Sequence, residues 1–224
     1  MNSKIIIMLT HNDRTVENAL EVFESCKDLP VECWGFKDVG LPVPQMKQLV
    51  DAMKAAGKTT FLEVVTYTEE ECMRGARLAV DCGFDYLMGT LYYDSVWAYL
   101  KEQDIRYYPF VGKVYGSPSV LEGTADEMIE QAKLFAEKGI DGIDILAYRH
   151  KEDPEGLAEA FVKGSPIPTV IAGSINSEAR IGVVSRINPF GFTMGSALFT
   201  KNFDAQGSFR DNLVKVLEIM DRYD

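Results

Sequence analysis

Eight times along this chain a short apolar run gives way to a helical pattern, and no other feature limits the fold so tightly. The runs lie at residues 4–10, 31–37, 59–65, 84–89, 106–111, 142–147, 168–172 and 191–194. They are continuous rather than alternating, as expected when both faces of a parallel strand are buried. Helices are predicted over 15–28, 44–56, 95–103 and 208–222. Others open at Thr68, at Thr124 (ending near Gly139) and at Asp153. Met46, Leu49, Val50 and Met53 share one helical face, as do Phe209, Leu213, Val216, Leu217 and Met220. Thr68 with Glu71 and Thr124 with Glu127 spell capping boxes, and Asp153-Pro154 reads as an N-cap followed by an N1 proline. Eight βα units in 224 residues predict one (β/α)8 TIM barrel domain over residues 1–224. The alternative, an open doubly wound sheet, lacks its G-x-G-x-x-G fingerprint after the first strand.

Composition narrows the partners. A net charge of −11 argues against nucleic acid and anionic membranes, since both call for a basic surface, while leaving room for a local basic pocket. Cys26, Cys33, Cys72 and Cys82 form no C-x-x-C pair, and two histidines are too few to complete a structural zinc site. Reduced thiols in a cytoplasmic protein are expected. The run Ile5-Ile6-Ile7-Met8-Leu9 is too short for a signal sequence or a membrane span and suits a buried strand. No cofactor and no metal are implied, and self-association into a homo-oligomer is compatible with the sequence.

The most specific functional signal is a pair of Gly-Ser turns. Thr169-Val170-Ile171-Ala172 runs into Gly173-Ser174, and Phe192-Thr193-Met194 runs into Gly195-Ser196. Glycine lets backbone N–H groups approach a ligand closely, and helical turns that follow aim further N–H groups at an anion. On the seventh and eighth units of a barrel, such loops frequently build a phosphate site. With these residues the C-terminal quarter of the chain resembles the ribulose-phosphate-binding barrel superfamily. That group includes sugar-phosphate isomerases and epimerases, indole-glycerol-phosphate synthase and orotidine-phosphate decarboxylase. The resemblance implies phosphate binding at Gly173, Ser174, Gly195 and Ser196. The D-x-K-x-x-D decarboxylase motif is absent, as are the paired His and Asp of ribulose-phosphate epimerase, so no catalytic residue carries over.

Catalytic candidates follow from position instead, because barrel chemistry sits at the C-terminal strand ends. Lys37 ends the second strand, where burial is expected to depress its pKa and suit it to Schiff-base or electrophilic chemistry. Glu63 and Asp144 are carboxylates inside apolar strands, costly there unless paired, and they suit general acid–base work. A Lys37–Glu63 pair across neighbouring strands is expected. Lys113 and Arg149 are read as loop cations facing the mouth, able to bind a second anionic group. The long loop around Lys113 is a candidate lid. Asp13 suits a helix cap, or a metal site with His11 and either Asp38 or Glu63, and Asp94 suits a helix cap. Together these residues predict an enzyme acting on a small phosphorylated sugar or sugar acid, by isomerisation, epimerisation or aldol-type cleavage. The alternative is a barrel that senses a phosphorylated metabolite without turnover, similar to the glycerol-responsive antiterminators.

Overall fold

Parallel strands form the wall of the molecule in a computed structural model that describes residues 3–223. They are β1 (Lys4–Met8), β2 (Cys33–Lys37), β3 (Thr59–Val64), β4 (Tyr86–Gly89), β5 (Arg106–Tyr108), β6 (Ile143–Ile145), β7 (Thr169–Ile171) and β8 (Gly191–Met194). Their order in the sheet is β6-β7-β8-β1-β2-β3-β4-β5. A bridge between Phe110 and Asp144 joins the two ends, so the eight strands make a nearly closed barrel.

The continuous apolar runs are explained by burial on both faces. Ile6, Met8, Cys33, Phe61, Met88, Tyr108 and Val170 fill the barrel interior. Ile5, Ile7 and Leu9 point the other way, into the layer between strands and helices. That outer layer is made by α1 (Ala19–Cys26), α2 (Val43–Ala55), α3 (Glu69–Cys82), α4 (Asp94–Leu100), α5 (Ala125–Glu137), α6 (Pro154–Gly164), α7 (Glu178–Ile187), α8 (Ser196–Phe199) and α9 (Phe209–Asp221). Thr124 and Glu127 form the expected reciprocal cap, and Asp153 accepts from the Gly156 N–H. Among the described residues no helix is long and apolar enough to cross a membrane.

Local chemistry departs from the sequence expectation in four places. The first helix begins at Ala19 rather than near residue 15, because Thr10–His11 and Arg14–Thr15 pair as a small antiparallel hairpin. Its turn residues Asn12 and Asp13 are left-handed, at φ 50° and 58°. Asp13 is therefore a turn residue, not the cap of α1. Thr15 locks this hairpin to β2, its hydroxyl donating to the Lys37 carbonyl at 2.8 Å and accepting from the Lys37 N–H at 3.0 Å. The loop after β5 is ordered as a second hairpin, Lys113–Tyr115 with Val120–Glu122. Asp94 is the first residue of α4 rather than its cap, and its carboxylate accepts from Lys138 Nζ at 2.7 Å.

Candidate active site

One cavity of about 250 Å³ opens at the C-terminal ends of the strands. Two sets of predicted residues meet there. Lys37 and Glu63 come from β2 and β3, and Arg149, Gly173, Ser174, Gly195 and Ser196 come from the loops after β6, β7 and β8.

Strand register creates the first set. Lys37 lies directly opposite Glu63, and both side chains turn inward at the top of the interior. Lys37 Nζ is 3.7 Å from Glu63 Oε2, and the two side chains are only 12% and 11% exposed. A third partner arrives from the first hairpin, where Asp13 Oδ1 accepts from Lys37 Nζ at 3.1 Å. This corrects the expected electrostatics of Lys37. Burial does pull its pKa down, but the charges of Glu63 and Asp13, with the Asp13 hydrogen bond, outweigh it and raise the value above the usual 10.5. The lysine is held as an ammonium ion.

Asp144 sits below this pair and does not line the cavity. It is fully buried, and neither carboxyl oxygen has a hydrogen-bond partner among the described residues. Burial first, then the charge of Glu63, push its pKa well above the usual carboxylate value, against the pull of Lys37. Folding shifts the balance toward the protonated form. Asp144 thus shares an electrostatic field with Lys37 and Glu63 but makes no ion pair with either among the described residues.

The second set is a braced loop. Gly173 and Ser174 are successive left-handed residues, at φ 79° and 62°, a geometry that turns neighbouring N–H groups toward one concavity. The Thr193 hydroxyl, from β8, accepts from the Gly173 N–H at 3.0 Å and ties the two turns together. Arg180 of α7 donates to the Ser174 carbonyl and lies 4.4 Å from the centre of the Tyr148 ring. Asn202 donates to the Asn176 carbonyl at 3.1 Å. The backbone N–H groups of Ser174, Ile175, Ser196 and Ala197 have no acceptor among the described residues. Arg149 adds a charge beside them: a Cβ on Gly173 would lie 3.9 Å from Arg149 Nε. No carboxylate among the described residues pairs with Arg149 at salt-bridge distance.

Lys113 does not join the cavity. It sits in the second hairpin, 74% exposed and 3.4 Å from Glu122, with its ammonium over the Tyr115 ring. Ser119, at the tip of that hairpin, is the residue that reaches the cavity lining. Tyr67 holds the tip down, donating to the Gly116 carbonyl at 2.8 Å and lying 3.0 Å from the Ser119 hydroxyl. No group of three or more His, Cys, Asp or Glu among the described residues is arranged to hold a metal ion. Thr193 carried a signal in the sequence, as a polar residue in an apolar strand. Arg180 and Asn202 carried none, since their roles depend on which loop they cross.

Solved structures with the same architecture include orotidine 5'-phosphate decarboxylase from Pyrococcus horikoshii OT3, at 13% identity and a TM-score of 0.72, covering 97% of this chain and 99% of that one. The tryptophan synthase alpha chain from Legionella pneumophila subsp. pneumophila matches at 11% identity and 0.67, covering 99% and 92%. N-acetylmannosamine-6-phosphate 2-epimerase from Clostridium perfringens matches at 12% and 0.65, covering 89% and 91%. What these structures share with this chain is the (β/α)8 barrel fold. No protein-family model matches the chain, and no curated protein matches it in sequence. The likeness therefore extends to architecture, and the chemistry rests on this chain's own residues.

Proposed function

We propose that this barrel is an enzyme that isomerises or epimerises a small phosphorylated sugar or sugar acid through an enediolate. One observation carries the reading: a single cavity has a guanidinium with free N–H groups at one end and the Lys37–Glu63 pair at the other. The first end suits a phosphate, which takes charge-assisted hydrogen bonds from Arg149 and the turns at Gly173–Ser174 and Gly195–Ser196. Anchoring there carries the sugar carbons toward β2 and β3.

The Glu63 carboxylate takes the proton from the carbon next to the carbonyl. The Lys37 ammonium donates a hydrogen bond to the carbonyl oxygen and stabilises the negative charge that develops on it. Return of the proton from Glu63 to the former carbonyl carbon, with the hydroxyl proton passing to the former carbonyl oxygen, gives the isomer; protonation of the original carbon from the opposite face by a second acid, Glu63 keeping the first proton, gives the epimer. The raised pKa of Lys37 favours this route over aldol cleavage through a Schiff base, which begins from a neutral amine.

Incubation with a panel of pentose and hexose phosphates in deuterium oxide tests the reading. One substrate is expected to gain deuterium at the carbon next to its carbonyl. Glu63→Gln is expected to slow that exchange by on the order of 10²–10⁴-fold. Borohydride is expected to trap no adduct on Lys37. A trapped adduct moves the reaction to the aldolase class, and binding without exchange removes the enzyme reading altogether.

A further inference from the structure

We propose that the cavity accepts a substrate with one anionic group, the phosphate ester of an otherwise uncharged sugar, and rejects sugar acids and bisphosphates. The inference rests on the function proposed above and narrows its substrate class.

The charged side chains lining the cavity are Asp13, Lys37, Glu63 and Arg149. They are sorted to opposite ends. Arg149 stands over the Gly173 turn and belongs to the phosphate end. Lys37 stands between two carboxylates, 3.1 Å from Asp13 and 3.7 Å from Glu63, so the reacting end carries one positive and two negative charges. Lys113, the cation expected to serve a second anion, is outside the cavity and paired with Glu122.

Donor and acceptor counting gives the same answer. Ionised carboxylates only accept hydrogen bonds. Sugar hydroxyls brought to Asp13 and Glu63 supply donors, and a carbonyl takes the ammonium of Lys37. A second carboxylate or phosphate supplies no donor, and it meets two like charges for each opposite one in a partly desolvated site, where such terms are strong. Outside the two Gly-Ser turns, the other polar lining residues (Thr10, Ser119, Asn176, Thr193, Thr200, Asn202) are neutral and suit a polyol chain. A volume of about 250 Å³ is also below the ~300–1,000 Å³ usual for drug-sized ligands, which fits a short sugar better than a nucleotide.

Calorimetric titration at neutral pH tests this with matched pairs: a pentose or hexose monophosphate, the corresponding phosphorylated aldonic acid, and the bisphosphate. Inorganic phosphate serves as a further probe. The acid and the bisphosphate are expected to bind at least about tenfold more weakly than the monophosphate, equivalent to about 1.4 kcal/mol. Asp13→Asn, at a residue 61% exposed in its side chain, is expected to close most of that gap without harming the fold. Equal or tighter binding of the acid overturns the inference and leaves the phosphate anchor standing. A gap unchanged in Asp13→Asn overturns its electrostatic origin. Failure of every phosphate ester and of inorganic phosphate to bind overturns the proposed function itself.

Discussion

At Asp144 the chain keeps a carboxyl group where an apolar residue would be more stable. The side chain is fully buried, with no ion pair and no side-chain hydrogen bond among the described residues. Its folded-state pKa is raised, so folding favours the proton-bound form. That contribution is complete below the unfolded value near 3.8 and is lost as pH rises toward the folded value. Asparagine has nearly the same shape and does not titrate. Asp144→Asn is therefore expected to raise the melting temperature at pH 7, by at least the ~2–4 °C that 1 kcal/mol makes in a chain of this size. The gain is expected to shrink as pH falls toward 4. Thermal melts across that range check it, and a variant less stable than the parent at pH 7 would sink the idea. If the same substitution also slows turnover, Asp144 is retained for chemistry at the expense of stability. The sequence announced Asp144, Glu63 and Lys37 equally, as ionisable groups in apolar strands. It did not announce the sign of the Lys37 shift, because that depends on Asp13 arriving from a hairpin whose left-handed turn has no apolar periodicity to betray it.

The two Gly-Ser turns, alike in sequence, use glycine for different reasons. Gly173 has φ 79° and open space, its nearest would-be Cβ contact being Arg149 Nε at 3.9 Å. A side chain there suffers from backbone conformation alone. Gly195 is limited by contact instead: a Cβ would lie 2.7 Å from the Met8 carbonyl oxygen and 3.0 Å from that of Thr10. The substitution patterns should differ accordingly. At residue 173, alanine is expected to cost about 1–2 kcal/mol, and asparagine, which tolerates the left-handed region, distinctly less. At residue 195, alanine is expected to cost about 1–3 kcal/mol through overpacking, with asparagine worse still. Chemical denaturation of the four variants reads both patterns, and the same ranking at both positions would refute the distinction. At this scale the sequence was legible where a pattern was local. The eight strands and the caps at Thr124 and Asp153 were readable from neighbouring residues. The two small hairpins were not, because each is held by distant groups: Thr15 by Lys37, and the second tip by Tyr67.

The barrel as a whole is unevenly sewn. β2 and β3 pair over five residues, whereas among the described residues the backbone pairing of β5 with β6 is limited to the Phe110–Asp144 bridge and the Asp144 N–H donating to the Pro109 carbonyl at 3.1 Å, with the Tyr107 N–H donating to the Asp141 carboxylate at 2.9 Å beside them. The cause is visible in the sequence. Pro109 follows β5 directly and has no N–H to give, so the ladder cannot extend through it. The seam runs beside Asp144, and the element bridging its top is the second hairpin, itself tied to the β6 loop by a Leu121–His150 bridge. Opening at this seam breaks few hydrogen bonds, so it should be a low-energy excursion of the native barrel. The Asp144 amide is accordingly expected to exchange with solvent at least about tenfold faster than central amides of β2 and β3, an opening cheaper by about 1.4 kcal/mol. A bound phosphate ester, by engaging Arg149 and the β7 turn on the far side of β6, should slow the seam more than the rest of the wall. Native-state hydrogen exchange, with and without ligand, measures both quantities. Protection at Asp144 equal to that at Leu62 would show that the barrel opens as one unit, and that its weakest ladder is not its weakest point.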